Sequence, residues 1–218
     1  MLFRWILFED LAMQKNRWLL FFSLACLGPV AQAQTSYLGV ETAVAYADNQ
    51  VPETAQAIAN TVGSTVFYTY NPVTAAFRIY GGHRIDPLLS LEAGYFRTAN
   101  LTANYRFLSG SSFAFATESY SASGVDGSVL LHPNNSGLFA RMGVHASQLN
   151  ASASYTDNRY RASIGLQRSG FGTLVGLGYE YDRDTQNAIR YGWTRYMGVG
   201  GISGANMDFI SAAWMVKF

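Results

Sequence analysis

The chain has 218 residues, 49% of them hydrophobic and 15% aromatic, with 15 basic against 14 acidic side chains and no run of like charge. This excludes a disordered chain, which could not bury enough apolar surface, and a nucleic-acid binder, whose affinity comes from a clustered basic surface. A content of 21 Gly, 14 Tyr and 14 Phe at only 13% charge suits a β-rich protein with many turns and is compatible with a membrane.

At the N-terminus, Met13-Gln14-Lys15-Asn16-Arg17 is a short basic segment, Trp18 to Val30 is mostly apolar, and Ala31-Gln32-Ala33 forms a small-residue cleavage site before Gln34. The pattern predicts a signal peptide over residues 1–33. A membrane anchor ranks lower, because the apolar stretch falls far short of the ~20 residues of a spanning helix. Glu9 and Asp10 are unusual ahead of a signal core and make Met13 a candidate start. Cys26, the only cysteine, lies within this leader. Lipidation there ranks lower, because Ser23 stands where a leucine is expected. Cleavage after Ala33 leaves a domain over 34–218 with 12 basic and 12 acidic residues and no cysteine. Disulfides, thiolate metal sites and cysteine nucleophiles are then excluded.

Beyond the leader, eight segments of about ten residues alternate with a period of two, the length of a tilted strand that crosses a bilayer. The first, Tyr37 to Ala47, sets Leu38, Val40, Val44 and Tyr46 against Gly39, Glu41, Ala43 and Ala45. Thr74 to Ile85 sets Phe77 and Ile79 against Arg78 and Tyr80, and Asp86-Pro87 turns the chain into Leu88 to Thr98. The fourth lies within Glu118 to Leu131, with Val125, Gly127 and Val129 opposite Asp126 and Ser128. Gly137 to Ala146, Phe171 to Tyr181, Asn187 to Tyr196 and a last segment from Met207 to Phe218 complete the set.

Short links at Asp86-Pro87, Pro133 to Ser136 and Asp182 to Asp184 alternate with long ones at 48–73, 99–117, 147–170 and 197–206. Outer-membrane barrels do this, with short periplasmic turns and long external loops, whereas a soluble sandwich has no such rule. One face of nearly every segment is aliphatic or aromatic. The other carries one charge per segment: Glu41, Arg78, Glu92, Asp126, Arg141, Glu180, Arg190 and Lys217, with Arg84 as an extra near a turn. A charge facing lipid costs up to ~2–4 kcal/mol at mid-depth, so this face should line the interior. Tyr46, Tyr95, Tyr179, Tyr181, Tyr191, Trp193 and Phe218 fall near segment ends, where interfacial girdles form.

Phe77-Arg78-Ile79-Tyr80-Gly81-Gly82-His83-Arg84, then Asp86-Pro87 and Leu89-Ser90-Leu91-Glu92-Ala93-Gly94-Tyr95, resembles the second hairpin of the OmpA-like and opacity-type outer-membrane barrels. Gly178-Tyr179-Glu180-Tyr181 with Arg190 and Tyr196 resembles their sixth and seventh strands. The ending Trp214-Met215-Val216-Lys217-Phe218 resembles, through Trp214, Val216 and Phe218, the signal read by the barrel-assembly machinery. The resemblance implies an all-β fold, an eight-stranded antiparallel up-and-down transmembrane β-barrel with both termini in the periplasm of a Gram-negative outer membrane. His83 departs from the aromatic expected in the hairpin motif. No peptidoglycan-binding domain follows Phe218, so a wall-anchoring role is not implied.

Inside eight strands there is little more room than side chains fill. Four acids and four bases there should pair, Glu180 with Arg190 and Glu92 with Arg78, because an unpaired buried charge is costly. The expected role is therefore structural or surface-interacting, with a small porin-like channel as the alternative and a lipid-modifying enzyme third. Among the histidines, His83 has lipid-facing parity, His132 abuts a turn, and His145 with Ser147 could suggest nucleophilic catalysis oriented by Asp157 or Glu118. No strained nucleophile turn and no His-Ser motif of the lipid A deacylases supports that, so no catalytic residue is expected. Neither a metal nor a cofactor is suggested by any spacing. Loops 48–73 and 147–170 are the expected places for an extracellular ligand. Within them Val51 to Asn60 predicts a short helix, opened by Pro52 and Glu53. Arg159, Arg161 and Arg168 are candidates to hydrogen-bond lipopolysaccharide phosphates.

Overall fold

In the computed structural model the described residues are 36–48, 65–109, 112–133, 136–157 and 160–218. The expected signal peptide over 1–33, the helix over Val51 to Asn60 and Arg159 lie outside them. The eight alternating segments are strands, and two further strands, β2 and β5, lie in stretches expected to be loops: β1 (Ser36–Asp48), β2 (Thr65–Tyr70), β3 (Val73–Arg84), β4 (Leu89–Thr98), β5 (Leu101–Ser109), β6 (Ser112–Leu131), β7 (Leu138–Thr156), β8 (Arg161–Asp182), β9 (Asn187–Met197) and β10 (Asn206–Lys217).

Eight of them close a ring of antiparallel neighbours in the order β1, β3, β4, β6, β7, β8, β9, β10. The seam runs from Tyr37 opposite Lys217 to Asp48 opposite Asn206. It is finished by two backbone bonds between Ser36 and Phe218, at 3.2 and 2.8 Å. Closure leaves no edge in the barrel wall. Three tight links join strands at one end, and the first and third are held by aspartates. Asp86 accepts from the Leu88 and Leu89 amides at 2.7 and 2.8 Å, and Asp184 from those of Gln186 and Asn187 at 2.8 and 2.6 Å. These hydrogen bonds hold the Asp184 carboxyl below the usual carboxylate range.

At the opposite end three of the four links expected to be long loops carry strands, and the one between Met197 and Asn206 does not. Residues 101–109 and 112–117 are strands β5 and upper β6, and 147–156 with 161–170 extend β7 and β8 into one hairpin. β2 and β5 continue β3 and β4 past breaks at Asn71-Pro72 and Ala99-Asn100. The outcome is a five-stranded sheet, β2–β5–β6–β7–β8, standing above one side of the barrel. Over the other side, β1, β9 and β10 end at the rim.

The inward parity assigned to Glu41, Arg78, Glu92, Asp126, Arg141, Glu180 and Arg190 is the observed one, and all seven are buried. Outward on the barrel strands, Leu38, Val40, Val44, Ile79, Val125, Met142, Val144, Leu177, Ile210 and Trp214 are exposed. Glycine creates the room inside. A Cβ on Gly94 would stand 2.8 Å from the Arg78 guanidinium, and one on Gly39 would collide with the Tyr80 ring.

Candidate functional site

The inner wall holds one continuous ion-pair chain. At the tight-turn end Lys217 Nζ contacts Asp182 and lies 2.9 Å from Glu180, whose carboxylate also faces Arg84 at 3.6 Å and Arg190 at 2.9 Å. Arg190 bridges on to Glu92, and Glu92 to Arg78 at 3.4 Å. Arg78 reaches Glu41 at 3.4 Å and grips Asp126 with two bonds of 2.9 and 2.8 Å. Asp126 also receives Arg141 at 2.7 Å, which donates a second bond to Ser128 at 2.9 Å. All eight inner-face charges expected from the sequence thus touch at least one partner of opposite sign, and Arg78, bound to three carboxylates, is the hub.

Aromatic rings fill what the ions leave. Arg78 lies 4.4 Å from the Tyr80 ring centre, and Arg190 lies 4.9 Å from that of Phe139. The Tyr37 hydroxyl donates to Glu92 at 3.0 Å, and that of Tyr196 to Asp126 at 3.3 Å. These tyrosines escape a reading that looks only for charge, although their inward parity was legible.

Above the ions lies a second, apolar layer. Phe96, Tyr196 and Phe209 pack with centroids 4.5, 4.9 and 6.0 Å apart, ringed by Ala45, Ala122, Leu174 and Met207. The β9–β10 link folds down over them. It turns through Gly198, Gly200, Gly201 and Gly204, all at positive φ, and places Val199 in the apolar cluster. The Gly200 amide donates to Ser147 Oγ at 2.9 Å, Ser147 lies 3.1 Å from His145 Nδ1, and His145 Nε2 faces the Met197 carbonyl at 3.0 Å. The carbonyl assigns the proton to Nε2, so Nδ1 accepts from the Ser147 hydroxyl. His145 and Ser147 are buried clamps for the link, and neither Asp157 nor Glu118 orients this imidazole. Glu118 accepts from Tyr105 at 3.0 Å and Tyr120 at 2.5 Å, and Asp157 accepts from the Tyr160 amide at 2.6 Å. Burial, and then the Glu118 carboxylate, pushes both phenols above their usual range. His132 is buried 3.4 Å from Ser90 Oγ, and His83 meets Ser36 at 3.0 Å. Among the described residues no cluster of His, Cys, Asp and Glu could hold a metal.

Of the arginines expected to meet phosphate, Arg161 and Arg168 are both exposed on β8. Seven residues apart on a strand, they project from opposite faces and form no common site. Trp214 and Val216 face outward, and Phe218 ends the seam. The Arg183 guanidinium lies 5.7 Å from the Trp214 ring centre.

An apolar outer face around an ion-paired interior, closed on itself, is the surface of a β-barrel that spans a membrane. No family model matches the sequence, and no curated protein matches it. Among solved structures the chain is similar to Ail, the attachment invasion locus protein of Yersinia pestis, at 8% identity, over 85% of this chain and 99% of that one, with a TM-score of 0.47. It is similar to Neisserial surface protein A at 18% identity over 84% and 97% with a TM-score of 0.39. The N-terminal β-barrel domain of Pseudomonas aeruginosa OprF follows at 11% over 86% and 100%, with a TM-score of 0.37.

Proposed function

We propose that this protein is a non-conducting, non-enzymatic barrel of the Gram-negative outer membrane whose working surface is its extracellular sheet. The double seal of the lumen carries this reading: Arg78, Glu92, Asp126, Phe96, Phe209 and Val199 are each at most 5% exposed. An ion path would have to part pairs that lack a hydrated alternative, and then displace an apolar layer. The tight turns face the periplasm together with both mature termini, and Trp214, Val216 and Phe218 serve the barrel-assembly machinery. The sheet of β2, β5, β6, β7 and β8 offers exposed Tyr68, Tyr155, Ile164 and Leu166, and the β7–β8 turn exposed Tyr160, to an extracellular ligand. Arg161 and Arg168 are available to lipopolysaccharide phosphates.

Single-channel recording of residues 34–218, refolded and checked by heat-modifiable gel mobility, tests the seal. Folded barrels that pass no current in planar bilayers support it, for wild type and for Arg190→Ala alike. Discrete openings whose conductance changes in Arg190→Ala would replace it with a small pore gated by interior charge.

A further inference from the structure

The outer wall carries a groove of about 470 Å³ that spans β4, β6, β7 and β8 where the wall changes character. Its lower half is one cross-strand row, Tyr95–Val125–Ala146–Phe171. A ring closes the row at each end, Tyr95 at 41% and Phe171 at 84% exposure, with the smaller side chains of Val125 and Ala146 between them. The two rings are three inter-strand spacings apart, roughly 14 Å, which admits more than one hydrocarbon chain side by side. The next row up is Arg97–Ser123–Gln148–Ser169, polar throughout. The groove therefore has an apolar floor and a hydrogen-bonding roof. The charge around it has one sign: the outward positions of β4 to β8 hold Arg97, Arg106 and Arg161 and no carboxylate.

We propose that this groove binds lipid A, the phosphorylated, multiply acylated glycolipid of the outer leaflet, with acyl chains between Tyr95 and Phe171 and a phosphate on Arg97. Phosphate accepts several hydrogen bonds from a guanidinium in a fixed fork. Ser123, Gln148 and Ser169, in the same row as Arg97, supply donors for the ester and sugar oxygens beside it. A bulky side chain at Val125 or Ala146 would close the groove from outside and leave the lumen untouched, because both residues point away from it. This site rests on the membrane reading above but not on the sealed lumen.

The test is native mass spectrometry of the refolded barrel, released from mild detergent after incubation with lipid A, with dephosphorylated lipid A, or with phosphatidylethanolamine. Wild type and Val44→Trp, a control on the opposite wall, should each retain one lipid A. Ala146→Trp and Val125→Trp should retain at least tenfold less while keeping heat-modifiable mobility. Arg97→Gln should lose several-fold for lipid A and be unchanged for the dephosphorylated form. Equal retention by the groove-filling variants, or equal retention of phosphatidylethanolamine by wild type, would reduce the groove to ordinary lipid contact and overturn the proposal. A barrel that folds in lipid vesicles yet retains no lipid overturns the groove alone, whereas one that never folds in lipid overturns the membrane reading itself.

Discussion

Below the row that joins Tyr95 to Phe171, β6, β7 and β8 send apolar side chains outward and polar ones inward. Above it the same strands do the opposite. On β7 the outward sequence Leu138, Ala140, Met142, Val144, Ala146 gives way to Gln148, Asn150, Ser152, Ser154, and the inward Arg141, Gly143, His145 to Leu149, Ala151, Ala153. β8 inverts outward at the matching place, from Phe171 to Ser169, while its inward face turns apolar further up, at Leu166 and Ile164 beyond Arg168. Neither the backbone pairing nor the side-chain parity is interrupted. Only the medium changes, from hydrocarbon outside to water outside, and the sequence changes sign to follow it. On their outer faces the strands thus mark the level at which apolar surroundings give way to polar ones, between Val125 and Ser123 on β6 and between Ala146 and Gln148 on β7.

The lower region has the most to lose from a single change. Arg78→Ala would leave Glu41, Glu92 and Asp126 facing each other without their hub, at a cost of about 3–5 kcal/mol. Urea unfolding in lipid vesicles, followed by tryptophan fluorescence, would read this. Arg84→Ala, at the half-wet mouth and 3.6 Å from Glu180, should cost less than about 1 kcal/mol. Comparable losses for the two would mean that Arg78 is not a hub.

Charge placed on the outer face discriminates between the regions directly. Val129→Arg, among the lipid-facing residues of β6, should cost about 2–4 kcal/mol in the same assay. Ser121→Arg, eight residues earlier on the same face of the same strand, should change stability by less than about 0.5 kcal/mol. A series of arginines at 121, 123, 125, 127 and 129 would place the boundary where the cost rises, expected between Ser123 and Val125. A cost that stays flat along the series would refute the inversion.

This inversion also explains how far the sequence could be read. The lower halves of the strands were legible because a lipid-facing row of Leu, Val, Ile and aromatics opposed to Gly and charge has one interpretation. The ion-pair partners Glu180 with Arg190 and Glu92 with Arg78 followed from parity and from the one-charge-per-strand count. The upper halves read as loops because Ser119, Ser121, Ser152 and Ser154 replace the apolar row, and hydroxyl-rich segments resemble turns. Their opposite faces, Tyr120, Ala151, Ala153 and Leu166, still alternate, so the strand signal persists there with its sign reversed. Arg161 and Arg168 are near in sequence, and strand parity separates them. The apolar layer of Phe96, Tyr196 and Phe209 is not legible for another reason: three rings on three strands form one layer only after the barrel closes.

The tight turns at the other end offer the smallest effect, and one whose sign is fixed. Asp184 accepts from two backbone amides and the Asn187 side chain, and these bonds depress its pKa in the folded state. A group with a depressed folded pKa contributes stability above its unfolded value, near 3.9, and loses that contribution as pH falls through the folded value. Asp184→Ala should therefore unfold at a slightly lower urea concentration than wild type at pH 7, with the difference shrinking below about pH 4. The turn is fully exposed and its two strands are already locked by the barrel, so the shift should be far smaller than that of Arg78→Ala. A difference that persists undiminished at pH 2 would assign the effect of Asp184 to the shape of the turn rather than to its charge.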